Sequence, residues 1–162
     1  MTDEGRAVRR ATEADEAALA RLLGESFDDP TWSAERVQGE LTRAADVLAV
    51  FVVEDEDGLV ATASARSAEK FPGLGYVHWV GVSPQKRGQR LGRVVVEQVV
   101  AHFDAMGIGG VILETDDVRL PALATYLGLG FVPEYLDEDH RRRWSAVFSA
   151  LSGHKGRKGN AR

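Results

Sequence analysis

Apolar residues recur along this chain first at helical spacing and then at strand spacing, and the change of period divides it into recognisable elements. AVRRA (7–11) is short enough for an edge strand. Thr12, followed three residues later by Asp15, has the pattern of a capping box, and it opens a helix with Ala18, Leu19, Leu22 and Leu23 on one face. That helix should end near Ser26. Ser33 is placed to cap a second helix, with Trp32 before it and Val37 after it set for a hydrophobic staple. VLAVFVVE (47–54) is apolar and β-branched, EDEDG (54–58) is a turn ending in glycine, and LVATASARS (59–67) alternates small and polar residues. Together they predict an antiparallel hairpin.

FPGLG (71–75) breaks the pattern, and GYVHWVGV (75–82) follows as a strand apolar enough to be buried on both faces. From Leu91 to Met106, Leu91, Val95, Val96, Val99, Val100 and Phe103 make overlapping helical stripes, with Gly107 where a helix-ending glycine belongs. GVILET (110–115) predicts another buried strand and PALATYLG (121–128) a short helix with Pro121 in its first turn. FVPEY (131–135) predicts a last short strand. Between 140 and 151, Trp144, Val147, Phe148 and Leu151 repeat at i, i+3, i+4 and i+7, while Trp144, Ala146 and Phe148 alternate as in a strand. The helical period is the fuller match.

With 162 residues, 44% of them hydrophobic and 28% charged, the chain fits one globular domain, expected over 1–152. The last ten residues, GHKGRKGNAR, are basic, rich in glycine and read as a disordered tail over 153–162. Without that tail the chain carries 16 Lys and Arg against 25 Asp and Glu, a formal charge of −9, which argues against nucleic acid as the main partner. No apolar stretch reads as a signal peptide or a membrane span, so a cytoplasmic protein without membrane partners is expected, as a monomer or homodimer. There is no cysteine, and the histidines at 78, 102, 140 and 154 lack metal-ligand spacing, so no metal site is expected.

The chemistry concentrates in VSPQKRGQRLG (82–92), the turn between the 75–82 strand and the 91–106 helix. A glycine-bearing turn at a helix N-terminus aims backbone N–H groups and the positive end of the helix dipole at one point, an arrangement suited to a pyrophosphate. Gly88 permits close backbone approach, Gly92 keeps the first helical turn bare, and Lys86, Arg87 and Arg90 add positive charge. Neither GxxxxGK[ST] nor GxGxxG is present, so the turn is not a P-loop or a dinucleotide fingerprint.

Gln85 to Arg90, followed by Leu91 and Gly92, resembles the central [QR]xxGx[GA] turn of the GNAT superfamily of acetyl-CoA-dependent N-acetyltransferases, departing at Arg90, where that family usually has Gly or Ala. ALATYLGLGF (122–131) is similar to the family's tyrosine-bearing helix and the Gly-Phe pair after it, and the order of elements agrees over roughly 7–135. The resemblance implies an α/β fold of the α+β type, a mixed, mostly antiparallel central sheet flanked by helices. It implies acetyl-CoA as acyl donor, bound by Val80, Gly81, Val82, Arg87, Gly88, Gln89, Arg90, Leu91 and Gly92. Arg119 stands where the family often has a cofactor-contacting Asn, and an arginine there can pair with a phosphate.

The implied reaction is acetyl transfer to a primary amine of a small molecule by direct attack in a ternary complex. An alkylamine of pKa ~10 must lose a proton, and His78, with an ordinary pKa of ~6.5, is the candidate base, sharing a strand face with Tyr76 and Val80. Backbone N–H groups from Val80 to Val82 would polarise the carbonyl where this strand splays from GVILET. Tyr126 is the candidate acid for a departing thiolate whose conjugate acid has a pKa near ~8.5. Glu114, Asp116 and Asp117 could bind a cationic acceptor but read as solvated strand-end acids. A protein lysine or N-terminal acetyltransferase would share this cofactor site, as would a non-catalytic acyl-CoA-binding module.

Overall fold

The structure is a computed structural model and describes residues 5–157. Residue contacts divide the chain into two compact units meeting at Glu114 and Thr115, where the sequence reading has one domain. In the first unit, five strands lie in the order β1 (Ala7–Arg10), β2 (Val47–Asp55), β3 (Gly58–Arg66), β4 (Gly75–Val82) and β5 (Val111–Leu113). The first three pairings are antiparallel and β4–β5 is parallel, as the connection through helix α3 (Leu91–Ala105) requires. The sheet is therefore mixed and mostly antiparallel, as expected.

Strand alternation sends successive β2 residues to opposite faces. Val50 and Val52 join the core cluster of Leu19, Leu22 and Leu23 on helix α1 (Glu16–Phe27), whereas the Phe51 ring meets His102 of α3, so the two helices cover opposite faces. On β3, Ala61, Ala63 and Ala65 pair with Val53, Phe51 and Ala49 and so form a floor of small side chains on the α3 side. Thr62 and Ser64 fall on the other face, where the Thr62 hydroxyl donates to the Phe51 carbonyl and the Ser64 hydroxyl to that of His78.

The capping signals are realised. The Asp15 carboxylate accepts from the Thr12 N–H at 2.8 Å and takes a two-pronged bond from Arg9, and the guanidinium holds its pKa down to about 2. A 3₁₀ turn, Glu13–Asp15, precedes α1. Ser33 Oγ accepts from the Arg36 N–H, with buried Trp32 and Val37 on either side, and opens the short helix α2 (Ala34–Val37), which continues as a π turn, Gln38–Thr42. Buried Glu16 accepts from Gln38 and Thr42, fastening that segment to the start of α1.

The second unit holds α4 (Leu120–Gly128) and α5 (Glu138–Arg157). The segment 140–151 is helical, with Trp144, Val147 and Leu151 on its less exposed side, in keeping with its fuller period. Two expectations fail here. FVPEY is not a strand: Pro133 lacks an N–H, no described strand pairs with it, and Val132 is 82% exposed. The helix also continues through 153–157, the first half of the segment read as a disordered tail. Extending a formed helix costs far less than starting one. Residues 158–162 lie outside the described residues.

Candidate active site

The site in the first unit is made by an irregularity in β4. Thr62 pairs with Gly81 but Ser64 pairs with His78, so β4 carries one residue more than β3 over this stretch. The extra residue bulges the strand, and Trp79 takes a left-handed conformation, φ +48°, which costs an aromatic residue roughly 1–2 kcal/mol. Rings hold it there: Phe27, Trp32 and His78 lie 5.4, 4.8 and 4.8 Å from it, centroid to centroid. The bulge also breaks the two-residue alternation. Tyr76 and His78 stack on one face at 5.3 Å as expected, but Val80 no longer follows them in register.

On its other side β4 pairs with β5 only through Gly75, Tyr76 and Val77. From His78 onward that edge has no strand partner among the described residues, and since the Ser83 N–H donates across to Val60 and Gly81 pairs with Thr62 on β3, the alternation turns the backbone groups of Val82 towards the space where the strands part. Such an edge can take an extended ligand by main-chain hydrogen bonds.

At the end of β4 the chain passes through a 3₁₀ turn, Pro84–Lys86, an extended Arg87, Gly88 at φ +79° and Arg90 at φ +61° before α3 begins. No atom lies within 4 Å of where a Gly88 Cβ would sit, so glycine is required there by backbone conformation. The first turn of α3 has no acidic residue to offset its dipole, and Arg87, Gly88, Gln89 and Arg90 are exposed around it. Leu91 is buried beneath the turn, and a Cβ on Gly92 would only reach ordinary contact with Val82. Lys86 does not join the anion site as expected: it is bound to Asp55 and Asp57 at the hairpin turn, at 3.1 and 2.6 Å.

The backbone at Arg90 is left-handed, a conformation that favours glycine. A left-handed non-glycine residue is strained, and Arg90→Gly should stabilise the protein by roughly 0.5–1 kcal/mol net of glycine's greater unfolded freedom. Calorimetry should show Tm higher by about 1–4 °C.

His78 is half-buried, and Arg66 reaches its Nδ1 at 3.2 Å. Burial and then the Arg66 charge hold its pKa below the ordinary value, outweighing Glu40, Asp46 and Glu114. Since a guanidinium only donates, Nδ1 is the acceptor and the ring proton lies on Nε2. His78 is thus neutral, with its lone pair engaged and its proton on the other nitrogen, an arrangement that opposes the expected role as base. Neither Arg66 nor the bulge at Trp79 has a signal in the sequence, because both arise from cross-strand pairing. The Tyr76 hydroxyl donates to Glu114, which also binds Lys70 at 2.8 Å, and Asp117 pairs with Arg143 at 2.9 Å, so these acids are already matched with partners.

In the second unit Tyr126 is 8% exposed on α4, 6.2 Å from Phe131 in an edge arrangement. Burial pushes its pKa up, against a smaller opposing effect of Arg119, which stands at the N-terminal cap of the same helix. The phenol keeps its proton through the neutral range.

The family model of the GNAT acetyltransferases matches residues 16–131. This chain belongs to that family. Mycothiol acetyltransferase of Thermobispora bispora is 30% identical over 131 residues, 78% of this chain and 44% of that protein. Mycothiol acetyltransferase of Nocardia farcinica is 37% identical over 70 residues, 43% of this chain and 23% of that protein. The GNAT chain here thus matches less than half the length of these curated relatives. Among solved structures, glucosamine-6-phosphate N-acetyltransferase of Arabidopsis thaliana superposes with a TM-score of 0.61 at 23% identity, covering 83% of this chain and 96% of that one, a likeness of fold. Among the described residues no helix is long and apolar enough to cross a membrane, and no group of His, Asp and Glu could hold a metal ion.

Proposed function

We propose that this GNAT chain transfers an acetyl group from acetyl-CoA to a primary amine of a small molecule. The observation that carries the reading is the continuity between the open edge of β4 beyond Val77 and the glycine turn at the head of α3. Acetyl-CoA has an amide-bearing arm and a pyrophosphate, and the two features suit them in order along the chain. When bound it supplies an activated acetyl thioester.

The chain's own residues do the rest. Arg87, Arg90 and the N–H groups from Gly88 to Gly92 would bind the phosphates. Backbone groups of Val80 and Val82 would orient the arm and donate to the acyl oxygen, fixed dipoles that need no reorganisation, whereas Gly81, expected to join them, is paired with Thr62 on β3. Tyr126, held protonated by burial, supplies a proton to the leaving sulfur. His78 donates from Nε2 to position the acceptor, and the amine proton leaves through water. Both curated relatives are named for mycothiol and not for a protein substrate, which supports a small-molecule acceptor.

Thermal unfolding with and without acetyl-CoA tests the reading. At a hundred times its Kd the cofactor should stabilise by about 2.7 kcal/mol, a Tm shift of roughly 5–10 °C. Amine-dependent release of free thiol should follow. No shift at millimolar acetyl-CoA would refute the proposal.

A further inference from the structure

The Val82 N–H, which points to the parted edge of β4 because its neighbour Ser83 donates across to Val60 on β3, is not left to water. It donates to Ser26 Oγ at 3.1 Å, from the last turn of α1. The approach depends on Gly81, since a Cβ there would stand 3.1 Å from that oxygen. The same residue holds a second group of the site: Arg87 donates from Nη2 to the Ser26 carbonyl at 3.1 Å, a carbonyl at the C-terminal end of α1 where a cation is favoured. One residue of α1 therefore engages both a backbone donor of the edge and a guanidinium of the anion turn.

We infer that Ser26 belongs to the cofactor site, its hydroxyl standing on the Val82 amide in place of an amide carbonyl of the incoming ligand. This rests on the acetyl-CoA reading above. The argument is one of exclusion. A backbone N–H has one hydrogen, and a ligand carbonyl at hydrogen-bond distance from Val82 N would fill the space that Oγ occupies. Binding of the arm must therefore displace the serine hydroxyl, which a rotation about one side-chain bond achieves. The serine satisfies the edge amide when no ligand is bound and competes with the ligand for it.

The test is Ser26→Ala, with binding measured by calorimetric titration of two probes. Acetyl-CoA carries the amide arm, whereas 3′-phosphoadenosine 5′-diphosphate has the phosphates but no arm. Removing the competitor should tighten acetyl-CoA about 2- to 10-fold, the range set by the net worth of one hydrogen bond. The diphosphate should be unaffected, because Arg87 binds a backbone carbonyl that alanine retains. Unchanged or weaker acetyl-CoA binding would overturn the inference. An equal gain for both probes would also overturn it, since the effect would not then pass through the Val82 amide. Failure of the unsubstituted protein to bind acetyl-CoA would instead sink the functional reading, and this inference with it.

Discussion

Gly88→Glu should abolish acetyl-CoA binding, weakening it by at least about 100-fold, or roughly 2.7 kcal/mol, while the protein stays folded. Two effects add. Any L side chain at φ +79° strains the turn by roughly 1–2 kcal/mol, and the new carboxylate lies at the head of α3, where an anionic ligand is expected. The empty space around Gly88 means that packing is not disturbed. Gly88→Ala separates the two: it carries the strain without the charge and should lose roughly tenfold in affinity. Equal losses for the two variants would show backbone shape alone to be responsible. Retained affinity in Gly88→Glu would remove the anion site. Circular dichroism and a Tm within about 2–8 °C of the original would confirm that both variants fold.

Tyr126→Phe should lower kcat by roughly 10- to 100-fold and leave the Kd for acetyl-CoA within about threefold. That is at or below the low end of the roughly 100- to 10,000-fold that a positioned proton donor contributes, since water can replace the hydroxyl in part. Phenylalanine keeps the buried ring and its edge contact with Phe131, so the fold of the second unit should persist. The pH dependence follows from the direction of the shift. Burial raises the Tyr126 pKa above the ordinary 10.0, so the acid form is complete at neutral pH and is lost only as pH climbs past that raised value. A fall in rate between pH 7 and 9 would therefore come from another group. If turnover in Tyr126→Phe equals that of the unsubstituted protein, the role of the hydroxyl is disproved.

Much of the candidate site was legible because its parts are local. The turn from Gln85 to Gly92 announces itself through glycines and cations within one short segment, and the chain conformation there depends mainly on neighbouring residues. Even its irregular member, Arg90, is visible as a departure from the family pattern, and the left-handed backbone at that position accounts for the glycine in that pattern. His78 illustrates the opposite case. Its place on β4 could be read, but its protonation could not, because that follows from its burial in the folded sheet and then from Arg66, twelve residues away on β3. Ser26 was read only as the end of a helix. Its contact with Val82 spans 56 residues and exists because α1 packs across the sheet.

Taken alone, the sequence determined the order of elements as far as α4, the hairpin, the two helix caps near Thr12 and Ser33, the long α3 and the glycine-bearing turn before it. Each is specified by periodicity or by a signal a few residues long. It also indicated a helix at 140–151, where the apolar spacing matched the helical repeat more fully. Only the tertiary structure decided the bulge at Trp79, the parting of β4 from β5 after Val77, the diversion of Lys86 to Asp55 and Asp57, and the loss of the strand expected at 131–135. The reason is common to all four. A strand segment acquires its register, and a charged side chain its partner, from residues remote in sequence, and no local signal carries that information.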